Sequence, residues 1–359
     1  MKTLYSIQAA RGLAALAVTA FHLTFLLGDP RYGGQATFAQ FTSRGNLGVD
    51  FFFVLSGFII LAAHQGDVGQ PQKLANYFRR RFIRLFPTYW IYTAAFCALL
   101  MLGFGTASTL PSSLRDWFST IFLIRTGTFE VPLTPAWTLM HEWAFYVIFG
   151  VLILNRTLGL FVLAAWLLPA FWFFTYPEEG QRSWLTTYFS PLNLNFLFGM
   201  LSFMAFKHWA PIIGKFSLPV GLALFVAIFI LEGSGQPYAV TQIPFGIAFA
   251  LIILGLSSWE REGYGVSSGG LLSQLGNASY SIYLIHLPVL GVLVKIVRKL
   301  AEFFPVNAEI LYISVYVATI LAGYLAYVLV ERRVLTLLRR ERPQRYTGQF
   351  PQSSKLSPR

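Results

Sequence analysis

Apolar residues in this chain come in blocks of about twenty, the length at which a helix crosses a bilayer. Such windows are predicted as helical spans at 5–28, 47–65, 86–104, 137–154, 157–175, 191–207, 216–232, 238–257, 277–298 and 308–330. Helix-breaking clusters separate them, as at Gly28, Asp29 and Pro30, and again from Gly233 to Pro237. No internal repeat or linker interrupts the pattern, so residues 1–335 are expected to form one membrane domain. Residues 336–359 are basic and rich in Pro, Ser and Gln, and are expected to be a disordered cytoplasmic tail. The expected fold class is an all-α integral membrane protein of about ten transmembrane helices. Lys2 ahead of an apolar run imitates a secretory signal, but Arg11 breaks that run and no small-residue cleavage site follows. The first span is therefore read as retained.

Composition sharpens this picture. The 359 residues are 55% hydrophobic and only 12% charged, against about 25% charged in soluble domains. Cys97 is the only cysteine, which excludes a disulfide framework or a thiolate metal site, and the five histidines never fall at zinc-binding spacings. No metal and no tightly bound cofactor is expected.

Charge sets an expected orientation. Lys73, Arg79, Arg80, Arg81 and Arg84 lie between the second and third windows, and Arg332, Arg333, Arg339, Arg340, Arg342 and Arg345 follow the last. The positive-inside rule places both groups in the cytoplasm, and an even span count brings the N-terminus there too. Lys295, Arg298 and Lys299 disagree, either as a true exception or because a span is miscounted. The net charge of +12 thus reads mainly as topology, with anionic membrane lipids as partners. No basic groove interleaved with aromatics accompanies it, so no nucleic-acid partner is expected.

Ionisable residues at membrane depth are costly and carry the candidate chemistry. Arg11 and His22 are eleven residues apart in the first window, which places them on one helix face, separated by about 16 Å. In the expected topology Arg11 lies toward the cytoplasm and His22 toward the outer face. Asp50, His141 and Glu142 fall at a depth similar to His22, and a histidine near carboxylates can serve as an oriented general base. Which carboxylate would orient it stays open. Arg81 and Arg84 share a helix face and suit phosphate oxygens, though they also fit simple anchoring at the membrane surface. His286, with Ser279, Tyr280, Ser281 and Tyr283 around it, belongs either to catalysis or to interhelical hydrogen bonding. His64 and His208 lie at cytoplasmic span ends and are given no role.

Several ordered segments then resemble a known family. They are Ile7 to His22 with Arg11 and His22 ten residues between them, Gly48 to Phe58, Arg79 to Pro87 with Arg81 and Arg84, Pro135 to Tyr146, and Leu275 to Pro288. In this order they resemble the acyltransferase family three of membrane O-acyltransferases that modify surface glycans. Within it, the chain looks like the ExoZ-type exopolysaccharide acetyltransferases. The resemblance implies a multi-pass enzyme of the bacterial cell inner membrane. It would move an acyl group, most often acetyl from acetyl-CoA in the cytoplasm, to a hydroxyl of a glycan or lipid-linked glycan. It implies activity dependent on Arg11 and His22, donor handling by Arg81 and Arg84, and a family glutamate at Glu142. His141 departs from the hydrophobic residue usual at its position. Asp50 is a further catalytic candidate, and His141, Tyr283 and His286 are candidates for the substrate path. The readings from other classes are a transporter or flippase for a glycan or lipid-linked intermediate, and a structural subunit of a polysaccharide synthase.

Overall fold

The computed structural model describes residues 4–32, 34–103, 109–175, 183–233, 238–301 and 307–339. The long helices are α1 (Tyr5–Gly28), α2 (Leu47–His64), α3 (Leu74–Met101), α4 (Trp137–Leu154), α5 (Arg156–Thr175), α6 (Leu194–Gly233), α7 (Tyr238–Arg261), α8 (Leu271–Ala301) and α9 (Ala308–Ala326). A π-helical turn, Tyr327–Glu331, joins α9 to the short α10 (Arg332–Arg339). Among the described residues, nine helical stretches are long and apolar enough to cross a membrane. Such all-helical spanning follows from the need to satisfy every backbone amide without water.

The 40-residue α6 merges the expected windows at 191–207 and 216–232. It nonetheless has two arms. Phe198 packs at Gly246 of α7 and Ser202 donates to Ala250 O (2.7 Å), so this half runs parallel to α7. The order then reverses: Gly214 meets Ser258, Leu218 meets Gly255, and the Phe225 ring sits 5.4 Å from Phe245 and 5.6 Å from Phe249. In a straight helix Phe198 and Phe225 would be about 40 Å apart, yet both pack on the same stretch of α7. The helix therefore folds back near Pro211, so its two arms correspond to the two expected windows.

Contacts between helices fix the two ends of the bundle. The Glu260 carboxylate accepts from the Tyr5 and Ser6 amides (2.7 and 2.8 Å), capping α1 with the opposite charge to its dipole. At this same lower end lie His64 against Arg81 and Arg84 against Glu331. Leu290 and Val294 pack with Leu23 and Leu27 at the upper end, so Lys295, Arg298 and Lys299 follow there on α8. That basic group stands at the end opposite the Arg84 cluster. The expected tail splits: residues 336–339 continue α10, and residues 340–359 lie outside the described residues.

Glycines bring the helices of the site into contact. A Cβ at Gly276 of α8 would stand 1.8 Å from Gln8 O of α1, and one at Gly12 would stand 3.0 Å from Gly276 N. This close approach runs α1 and α8 side by side, as small residues do in bilayers. The same contact joins α2 to α6, where a Cβ at Gly57 would be 2.0 Å from Phe196 O. Gly276→Val is expected to destabilise the protein by about 3 kcal/mol or more through backbone overpacking. Thermal unfolding followed by size-exclusion chromatography checks this, and a midpoint unchanged from the parent protein would contradict it.

Candidate active site

Two cavities open inside the bundle. The lower one, of about 180 Å³, is walled by Arg11, Ser56, Arg81, Arg84, Glu142, Tyr146, Tyr280 and Tyr283, among others. The upper one, of about 400 Å³, is walled by His22, Asn46, Asp50, Thr134, Trp137 and Tyr283, among others. Tyr283 faces both. Its ring packs edge-on against Phe52 at 5.7 Å. The two polar residues of α1 thus serve different chambers, one at each end of the same helix face.

In the lower cavity, Arg84 Nη1 lies 2.6 Å from Glu331 Oε1, and the Glu331 side chain is 1% exposed. The π-helical turn inserts an extra residue per turn and re-aims Glu331 inward. Its other oxygen accepts from Ser281 Oγ (2.6 Å), which leaves Tyr92 Oη to donate to Ser281 (2.8 Å). Arg81 Nη2 donates to His64 Nε2 (3.0 Å), and its guanidinium lies 5.7 Å from the Tyr146 ring centre. Arg11 Nη1 donates to Gln8 Oε1 (3.1 Å). Glu142 Oε1 accepts from Tyr146 Oη and from Ser56 Oγ (3.3 Å).

In the upper cavity, His22 Nδ1 is 2.9 Å from Val18 O and 3.1 Å from His286 Nε2, with the two rings 4.9 Å apart. His286 Nδ1 in turn faces Tyr283 O. Backbone carbonyls only accept, so each Nδ1 carries the proton. His286 Nε2 then accepts from His22, and the lone pair of His22 is left on Nε2, the nitrogen able to act as a base. Asp50 is 1% exposed and accepts from Asn195 Nδ2 (2.9 Å).

Depth placed Glu142 with His22, and the structure separates them. Depth fixes height along a helix but not direction, and neighbouring residues point about 100° apart. Glu142 turns into the arginine cavity, whereas His141 turns to Asn193 (2.9 Å) and packs against Phe53 and Trp137, outside the lining of both cavities. Of the four residues grouped by depth, His22 and Asp50 share a cavity. The side chain that pairs with His22 is His286 rather than Glu142.

The structure also brings in residues that the sequence reading did not single out. Glu331 hides beside Arg332 and Arg333, where it reads as one more charge at a span end. Tyr146 carried a signal, because its i,i+4 spacing from Glu142 puts both on one helix face. Asn46 and Trp137 had none beyond their place at span starts.

Residues 4–328 match the model of an acyltransferase domain. The chain belongs to that acyltransferase family. It is 30% identical to the exopolysaccharide production protein ExoZ of Rhizobium meliloti, over 85% of this chain and 93% of that protein. It is 26% identical to the acyltransferase MdmB of Streptomyces mycarofaciens, over 94% and 93%. With the peptidoglycan O-acetyltransferase OatA of Listeria monocytogenes it shares 23% identity over 79% of this chain and 49% of that one. No solved structure matches. The two cavities are therefore those of a multi-pass membrane acyltransferase of the ExoZ type.

The Arg84–Glu331 pair, with its carboxylate buried and its guanidinium half-buried, generates a stability prediction. Glu331→Gln strands a guanidinium inside the bundle and is expected to cost about 3 kcal/mol. The Arg84→Gln, Glu331→Gln double variant should recover much of that loss. A double-mutant cycle on the thermal midpoint tests it, and strictly additive losses would contradict it.

Proposed function

We propose that this acyltransferase carries an acyl group, acetyl by preference, from acyl-CoA at the lower cavity to a glycan hydroxyl in the upper one. The observation that carries the reading is Tyr283, which walls both cavities and so makes them neighbours on one route. The charge pattern supports a cytoplasmic lower end: Lys73, Arg79, Arg80, Arg332 and Arg333 gather there. A polar, arginine-walled chamber suits the phosphorylated donor. The relatives named for exopolysaccharide production and for peptidoglycan O-acetylation support a glycan or lipid-linked glycan acceptor. A bacterial cell inner membrane location follows from the same likeness.

In this mechanism the acceptor hydroxyl enters the upper cavity and gives its proton to His22 Nε2 as its oxygen attacks the thioester carbonyl. The C–S bond breaks, an ester forms, and the CoA thiolate takes up a proton to leave as free thiol. His286 holds the His22 ring by its Nδ1–H, and Asp50 in the same cavity favours the imidazolium that forms. The pantetheine arm reaches from the Arg11 level past Tyr283, a climb of about 16 Å along α1. Arg11 and Glu142 act on the donor side, where their side chains lie. Residues 1–335 act as the transferase domain, with residues 336–359 as a cytoplasmic tail.

His22→Ala is expected to lower acceptor-dependent release of CoA from radiolabelled acetyl-CoA by about 10²- to 10⁴-fold in membranes supplied with surface polysaccharide. Activity near that of the parent protein, at equal expression, would remove His22 from the reaction. Vesicles that move polysaccharide without releasing CoA would favour a transporter instead.

A further inference from the structure

The three guanidinium groups of the lower cavity are not equivalent. Arg84 is committed to Glu331 at 2.6 Å, and its charge is matched inside the protein. Arg81 is held by a neutral group: His64 Nδ1–H donates to Asp67 (2.8 Å), so His64 Nε2 accepts from Arg81 without cancelling its charge. Arg81 Nε is buried and has no hydrogen-bond partner. Arg11 is bound to the uncharged Gln8 amide. Among the described residues, neither Arg11 nor Arg81 has a carboxylate within ion-pair distance. The one acid on the cavity wall, Glu142, already accepts from Ser56 and Tyr146.

We infer that Arg11 and Arg81, from two different helices, form the anion site of the lower cavity, and that Arg84 is a positioning residue. This rests on the reading that the lower cavity takes the acyl donor. A buried guanidinium donor without an acceptor, as at Arg81 Nε, is costly, and a phosphate fills it with a charge-assisted bond. With Arg84 and Glu331 cancelling, the wall keeps two uncommitted cations against Glu142 alone, an excess that favours an anionic ligand. The small cavity, about 180 Å³, keeps both cations within reach of one ligand. The ligand class is a phosphate ester or pyrophosphate, each phosphate offering two oxygens to one planar fork. The i,i+3 spacing of Arg81 and Arg84 therefore misassigns the pair: the partner of Arg81 is Arg11, and Arg84 with Glu331 and Ser281 braces the wall on which they stand.

Coenzyme A binding to the full chain in zwitterionic nanodiscs, followed by calorimetry, tests this. Arg11→Gln and Arg81→Gln are each expected to weaken coenzyme A about tenfold or more. Arg81→Lys, which keeps the charge and loses the fork, should fall between. The Arg84→Gln, Glu331→Gln double variant should stay within about threefold of the parent, and pantetheine, which lacks phosphate, should bind as weakly to the parent as to Arg81→Gln. Loss in the double variant equal to that in Arg81→Gln would overturn the inference. So would undiminished binding by Arg11→Gln and Arg81→Gln. Inorganic pyrophosphate or phosphatidylglycerol bound through Arg11 and Arg81, with coenzyme A ignored, would uphold the anion site and sink the donor reading. A parent protein that binds none of these anions would sink both.

Discussion

The contact between α1 and α8 is the one on which the site depends. Gly12 and Gly276 leave no room for a side chain between the two backbones. The helices consequently lie against each other along much of their length, and the polar face of α1 meets the polar face of α8. His22 reaches His286, and Arg11 and Tyr280 wall one cavity. In lipid there is no water to satisfy these groups, so the bundle interior must do so. Tyr312 and Tyr316 of α9 add to this by donating to Ala20 O and Leu16 O (3.0 and 3.1 Å), fixing α1 from its other side.

The two cavities divide the work electrostatically. The lower one is built from guanidinium groups, one matched by Glu331 and two held by neutral acceptors. The upper one is built around an imidazole whose protons are directed by backbone carbonyls, which leaves a base facing space walled by Asp50, Asn46 and Trp137. A cationic chamber suits a polyanionic donor, whereas a neutral base with a carboxylate nearby suits deprotonation of a sugar hydroxyl. Tyr283 and Phe52 stand where these environments meet.

Much of this was legible before any coordinates. Hydropathy located each long apolar helix, including the two arms of α6, because a bilayer demands about twenty apolar residues whether or not a loop intervenes. Helical periodicity aligned Arg11 with His22, and span direction put them at opposite heights. What hydropathy and depth could not supply was azimuth. Glu142 shares its height with neighbours that face elsewhere, and its true surroundings emerge only when α4 is packed against α2 and α3. Glu331 was hidden for a second reason: a π-helical turn shifts the register at the end of α9, so its direction does not follow from regular helical counting. Arg84 looked free beside Arg81 because its partner is 247 residues away.

The central claim is that one route joins the arginine cavity to His22. A single-cysteine chain carrying Cys97→Ser and His22→Cys, in sealed proteoliposomes, tests it directly. The mixed disulfide of coenzyme A with methanethiol, offered on one side, would exchange with a reachable thiol: the cysteine sulfur bonds the coenzyme A sulfur, methanethiolate leaves, and the protein–coenzyme A disulfide is visible by intact mass. The account predicts capture at position 22 when the reagent is supplied at the Arg84 end and none when it is supplied at the opposite end. Capture from the opposite end alone, or no capture while Ser56→Cys in the lower cavity is labelled, would contradict it.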